Sequence, residues 1–302
     1  MGCLGRYVII MNPLITGAIA SSYRENLLLD DYSGAVGAYS VSRYLKKDFT
    51  NKAVVQLRRD SDGATADFTP TEITDGTATS WAGMGQSARV NIWYDQSGNG
   101  NDISQSSLYN KPYLIISGTV QTLDGTKAAV DFDGTNDAIW INSQFPDIVL
   151  NNISVFCVAK YDTVPTTPSE CLYSLGWTAG SGRFFMQNWS SSPSYEYGYY
   201  FGYAGTWDAL TGGPSADTSK HLFHSIAGST LGHFEAWVDT TSMGYVTLSS
   251  NTTSGTYGLG GVNSVTSYAF DGKMSEFILY QSDQYSNIAS IRSNVNSYYT
   301  LY

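Results

Sequence analysis

The chain has 302 residues, 14% of them charged, and its 26 Asp plus Glu against 16 Lys plus Arg give a net charge of −10. That balance argues against nucleic acid as a partner, because a basic surface supplies most of such affinity. A 14% share of aromatic residues argues against disorder, and 30 glycines exclude a coiled coil.

A length near 300 fits one large β domain. Cys3, Cys157 and Cys171 are too few and too scattered for a disulfide framework. No Cys or His spacing marks a zinc site, so no cofactor is expected. At the N-terminus, Arg6 precedes an apolar run from Tyr7 to Ala20 that Asn12 and Pro13 interrupt. The run is too short to span a bilayer, so no membrane span is expected. Residues 1–25 read as an arm tied to this or a neighbouring subunit, and residues 26–302 as a single domain.

Next, Val36 to Phe49 places Val36, Tyr39, Arg43 and Leu45 at roughly helical spacing, which predicts an early helix. Short strand patterns then recur: Ala53–Arg58, Val90–Tyr94, Tyr113–Ile116, Ala128–Phe132, Ala138–Ile141, Ile153–Lys160, Arg183–Gln187, His221–Ala227, Gly232–Val238 and Lys273–Tyr280. Between them stand turn signals such as Asp124-Gly125, Asp133-Gly134 and Asp271-Gly272. Many short strands with frequent turns predict an all-β sandwich. Near the C-terminus, Ile288, Ile291, Val295 and Tyr298 form one helical stripe.

Four constellations could carry chemistry. Asp95, Gln96, Ser97, Gly98, Asn99 and Gly100 form an Asx/Gly loop after a strand, read first as structural. Asp131, Asp133 and Asp137 could supply oxygen ligands to Ca²⁺, although their spacing is not that of an EF-hand and also suits a hairpin turn. Trp177, Trp189, Tyr195, Tyr197, Tyr199, Tyr203 and Trp207 crowd a Gly/Ser-rich stretch, as rings at recognition surfaces do. They are the candidate glycan contacts, with packing as the competing reading. Glu235 and Glu276 are strand carboxylates of the kind that glycoside hydrolysis uses in pairs.

Residues 36–106 resemble the catalytic domain of the arabinofuranosidase B family (glycoside hydrolase family 54). The resemblance rests on Leu57-Arg58-Arg59-Asp60-Ser61-Asp62 and Tyr94-Asp95-Gln96-Ser97-Gly98-Asn99-Gly100-Asn101. The rest of the chain resembles a concanavalin A-like or laminin-G-like jelly roll with a C-terminal helix, and the family implies the same architecture. In the family the acid follows a Gly-Gly pair; here Gly260-Gly261 is followed by Val262. The run matching the family's nucleophile, Gly182-Arg183-Phe184-Phe185, puts Phe185 in that place. Valine cannot protonate a leaving oxygen.

The resemblance thus implies a degenerate, non-catalytic, lectin-like domain of the type found in bacteriophage structural proteins. The expected role is a virion protein of a tail fibre, tail tip or capsid surface, not an enzyme. It would bind cell-surface glycan, contact other virion proteins through the N-terminal arm, and form a homo-oligomer. A secreted bacterial protein is the other location. The alternative function is an active arabinofuranosidase-like hydrolase with displaced carboxylates such as Glu196, Asp208 or Glu235.

Overall fold

Short β segments account for nearly every predicted strand, and their edges coincide with the turn signals. The computed structural model describes residues 27–141, 148–149, 152–164, 170–176, 183–191, 194–203, 206–228, 231, 233–247, 252–253, 257–261 and 268–302. In chain order the strands are β1 (Ala35–Ser40), β2 (Val55–Arg59), β3 (Thr65–Phe68), β4 (Ala88–Trp93), β5 (Ile103–Ser104), β6 (Tyr113–Ile116), β7 (Thr119–Val120), β8 (Val130–Asp133), β9 (Ile139–Ile141) and β10 (Ile148–Val149). They continue as β11 (Ile153–Tyr161), β12 (Cys171–Leu175), β13 (Arg183–Ser191), β14 (Ser194–Tyr203), β15 (Thr206–Leu210), β16 (His221–Ala227), β17 (Phe234–Val238), β18 (Thr241–Val246), β19 (Thr252–Thr253), β20 (Tyr257–Leu259) and β21 (Asp271–Tyr280). The α-helices are α1 (Leu28–Asp31), α2 (Pro70–Thr74), α3 (Thr77–Ala82) and α4 (Ile288–Tyr299).

The strands make a jelly-roll β-sandwich of the concanavalin A-like type. In one layer β21 pairs with β11 along one edge and with β1 and then β8 along the other. Beyond β11 come β16, β17 and β18. The second layer runs β3–β2–β4–β5–β9–β20–β12–β13–β14–β15. β6 pairs with both β4 and β8 and so carries the hydrogen-bond ladder from one layer to the other.

Rings from the two layers meet between them. Tyr173 packs on Phe277 at 5.2 Å between centroids, Tyr197 on Phe223 at 4.9 Å and Tyr39 on Trp93 at 6.0 Å. Each fully buried ring stabilises the fold by about 1.5–3 kcal/mol relative to exposure.

The outer face of the β21 layer lies under α4. Ile288, Ile291, Val295 and Tyr299 pack there with Ala38, Phe156, Val158, Leu222 and Ile278. The predicted stripe is thus correct for three residues, with Tyr299 rather than Tyr298 as the fourth buried one. Arg43 makes a bidentate ion pair to Glu276 of β21, both bonds at 2.7 Å, and donates to Asn294 Oδ1 of α4 at 2.9 Å, while the Tyr299 hydroxyl bonds Glu276 at 3.0 Å. Among the described residues, no helix is long and apolar enough to cross a membrane.

The early helix predicted over 36–49 does not form. Ala35–Ser40 is strand β1, and only a 3₁₀ turn at Lys47–Phe49 is helical. The reason is tertiary. One edge of β1 is paired by β21, and the other is met by the 95–101 loop. Asp95 accepts from Ala38 N–H at 2.9 Å, Gln96 N–H donates to Ala38 O, and Asn99 and Asn101 donate to Ala35 O and Val36 O. A loop that bonds groups along an otherwise exposed edge reduces the hazard of a free strand. Residues 1–26, including the predicted arm, lie outside the described residues.

Candidate active site

The second layer has one face toward the core and one that points away from it. In β12, Tyr173 and Leu175 belong to the core, and Ser174 between them belongs to the opposite face. Register places Trp140, Gly258, Ser174, Phe185 and Tyr200 in one row across β9, β20, β12, β13 and β14. The Trp140 ring lies over Gly258, where any side chain would collide with it, so only glycine fits. Trp140 stays partly exposed there, a flat surface of the kind that sugar C–H faces stack on.

A turn at Gly260–Gly261 borders this row. Gly260 has φ +81° and sits against the Phe132 ring, two separate reasons for glycine. Its N–H donates to Leu172 O at 2.8 Å, and its carbonyl accepts from Phe270 N–H at 3.0 Å. Ser174 Oγ donates to Gly261 O at 3.0 Å. The two places marked by the family resemblance therefore meet at Ser174. Phe185 is its register partner, and Gly261, the residue before Val262, is bonded to its hydroxyl. Val262 itself lies outside the described residues.

Two carboxyl groups flank the same turn. Glu170 lies two residues before Leu172, and Asp271 follows Phe270. Asp271 N–H donates to Glu170 Oε2 at 3.2 Å, and Thr163 Oγ1 donates to Asp271 Oδ2 at 2.7 Å. Burial pushes the Glu170 carboxyl up to about 7; the Asp271 N–H opposes this and the Asp271 charge adds to it. A carboxyl that keeps its proton near neutrality, beside a second carboxylate, is the arrangement that acid catalysis needs. Glu170 carries no motif around it, but the chain has only six glutamates, a short list from which to search.

The other predicted residues fall elsewhere. Tyr197 and Tyr199 are not glycan contacts: both are buried in the inter-layer core, Tyr197 on Phe223 and Tyr199 on Phe234. Strand alternation sends them inward and puts Glu196, which precedes Tyr197, on the other side. Trp189 pairs in register with Glu196, Tyr195 with Ser190, Tyr203 with Thr206 and Trp207 with Gly202. The side chains of those four aromatic residues, and all of Trp177, lie outside the described residues.

Asp95, Gln96, Ser97, Gly98, Asn99 and Gly100 form the loop along β1; Asp95 also accepts from Ser97 and Asn101 and is buried. Asp131 pairs with Lys273 at 2.6 Å, and Asp133 accepts from the N–H groups of Thr135, Asn136 and Asp137 in a hairpin turn. Asp137 is buried, and burial pushes its carboxyl up to about 8. Among the described residues, no three His, Cys, Asp or Glu side chains are grouped to hold a metal ion. Cys157 and Cys171 are buried free thiols.

Glu235 and Glu276 cannot act on one sugar. Both belong to the outer, helix-side face, but β11 and β16 separate their strands. Three strand spacings of about 4.8 Å already exceed the roughly 5–9.5 Å of a glycosidase pair. Glu276 is also sealed by Arg43. Glu196 lies on the opposite outer face from Glu235, with the core between them. Asp208 stands opposite Phe201 in β15.

The sandwich and this row of residues define a jelly-roll domain whose outer face carries the partly exposed Trp140 ring. A family profile described as "Alpha-L-arabinofuranosidase B, catalytic" matches residues 30–145, less than half of the chain. A family 54 α-L-arabinofuranosidase soaked with a cyclic sulfate inhibitor is similar in fold, with TM-score 0.67 and 17% identity over 89% of this chain. An arabinofuranosidase complexed with arabinofuranosyl-α-1,2-xylobiose is similar at TM-score 0.64 and 19% identity, again over 89% of this chain. The chain spans 64% of the length of each of these solved chains. No curated protein matches the sequence.

These comparisons overturn the expectation of a non-catalytic, lectin-like virion protein. The matching profile describes a catalytic domain, and the similar structures are glycosidases. Val262 and Phe185 at the two aligned positions do not by themselves exclude an enzyme, because burial raises the pKa of a carboxyl beside the same turn.

Proposed function

We propose that this domain is a glycoside hydrolase that removes α-L-arabinofuranosyl groups. The observation that carries the proposal is the arabinofuranosidase B profile matched over residues 30–145, and the sandwich frame agrees with it. Trp140 gives the sugar a flat apolar seat beside Ser174. Glu170 is the general acid: it holds a proton to about 7 and would pass it to the leaving oxygen as the glycosidic bond breaks. Asp271 is the second carboxylate, oriented by Thr163. It faces the charge that develops on the sugar, as the partner carboxylate does in this class of reaction.

The test is hydrolysis of 4-nitrophenyl α-L-arabinofuranoside and of an arabinosylated xylo-oligosaccharide by the wild type and by Glu170→Gln. Nitrophenolate leaves with little protonation, whereas a sugar hydroxyl needs the acid. The expected result is a far larger loss on the oligosaccharide than on the aryl glycoside. Equal activity of Glu170→Gln and wild type on both substrates would remove Glu170 from the mechanism. No activity of the wild type on either would remove the hydrolase reading.

A further inference from the structure

Between the α2–α3 pair and the connection from β7 to β8 lies a cleft of about 310 Å³. Small-ligand sites begin at roughly 300 Å³. Five threonines wall it, Thr74, Thr79, Thr119, Thr122 and Thr126, with two glycines and three aliphatic residues and no charged side chain. Ile73 and Ala128, both buried, form part of the lining. Ala128 leads into β8, whose Phe132 supports Gly260 at the candidate active site, so the two sites share one strand.

Three of the five hydroxyl protons are already directed. Thr74 Oγ1 donates to Pro70 O and Thr71 O, both at 3.1 Å, and Thr79 Oγ1 to Gly76 O at 2.9 Å. Thr126 Oγ1 donates to Asp124 Oδ1 at 2.7 Å. These three oxygens keep lone pairs to offer but have no proton to give. Thr122 Oγ1 differs: it accepts Gly125 N–H at 2.9 Å and keeps its proton. The cleft therefore presents mainly acceptors and methyl groups, with the Thr122 hydroxyl as a donor.

A neutral sugar, which donates from its hydroxyls and packs through its C–H groups, complements that surface. An anion would meet mostly lone pairs and the neighbouring Asp124 carboxylate, with few donors to replace its hydration. The walls are fixed in advance. Asp124 is held by Lys220 at 2.5 Å, and α2 is closed by a capping box between Thr69 and Glu72. A preformed site avoids the ordering cost of binding.

We propose that this cleft is a second, non-catalytic site that binds a neutral sugar unit. The proposal rests on the cleft's own chemistry and does not require the hydrolase reading. The experiment is titration of the full chain with L-arabinose, xylobiose or inorganic phosphate, followed by amide NMR shifts. The expected result is saturable shifts at residues 73–79 and 119–126 with at least one sugar and none with phosphate. Thr119→Arg, on an exposed wall, should weaken that binding by about tenfold or more while aryl arabinoside hydrolysis stays at the wild-type rate. Thr122→Val, which keeps the shape and removes the free hydroxyl proton, should weaken it less and leave the fold intact. Absence of saturable shifts with both sugars, shifts that survive Thr119→Arg, or equal shifts with phosphate would each overturn the proposal.

Discussion

Glu276, on the helix-covered face, is almost fully buried, and its carboxylate is met by the two-pronged Arg43 guanidinium and by the Tyr299 hydroxyl. Glu170, just before β12, is only partly buried and accepts the backbone N–H of Asp271, itself a carboxylate. The two environments use the same side chain in opposite ways. Where a cation and hydroxyls surround it, the group is fixed and serves the fold. Where burial and a like charge surround it, the group resists losing its proton, and that resistance is available to chemistry.

The comparison breaks most visibly at Glu276. Glu276→Ala leaves the Arg43 charge buried without its partner and should cost about 3–5 kcal/mol, read as a lower urea midpoint. At Glu170 the expected loss is kinetic: Glu170→Gln should lower kcat on an arabinosylated oligosaccharide by about 10²–10⁴-fold. The wild-type rate should fall as pH rises past about 7, and that limb should vanish in the variant.

Stability should move the other way. Glu170 has a folded-state pKa above its unfolded value, so its contribution is present at low pH and lost as pH rises through about 7. Glu170→Gln escapes that loss and should match or exceed the wild type in stability at pH 8. An intact rate together with a large loss of stability would instead make Glu170 a second Glu276.

Smaller effects sharpen the picture. Tyr199 accepts from the Tyr173 hydroxyl at 3.3 Å inside the core. Tyr199→Phe should cost about 0.5–1.5 kcal/mol in denaturant titration and leave sugar binding unchanged, the reverse of what a contact residue would show. The smallest effect belongs to His221. Burial lowers its pKa, but the bonds to Asp239 at 2.6 Å and Asp217 at 3.0 Å outweigh this and raise it overall. Its stabilisation should be complete below about 6.5 and decline as pH rises through the folded-state value. His221→Gln should flatten that slope in thermal melts.

The sandwich was legible in the sequence because its signals are local. Apolar strand runs such as Ile153–Tyr161, the Asp-Gly turns and the Ile288–Val295 stripe each state their own geometry. Ala35–Ser40 was misread as helix because what makes it a strand is distant: β21, and the side chains of residues 95–101. Tyr197 and Tyr199 looked like recognition rings because composition does not reveal which face of a strand is covered. Glu170 was missed for a related reason. Its partner Asp271 is 101 residues away, and its raised pKa comes from burial that no spacing encodes.

The place of β21 in the sheet also governs how the protein can be made. This strand binds β1, β8 and β11, yet it comes last among the described strands. At about 5–20 residues per second, a ribosome needs tens of seconds to reach it. Until then the edges of β1 and β11 have no permanent neighbour and remain open to mispairing. Folding of the domain is therefore expected to follow, not accompany, synthesis. Truncation before β21 should give an insoluble product rather than a smaller folded one.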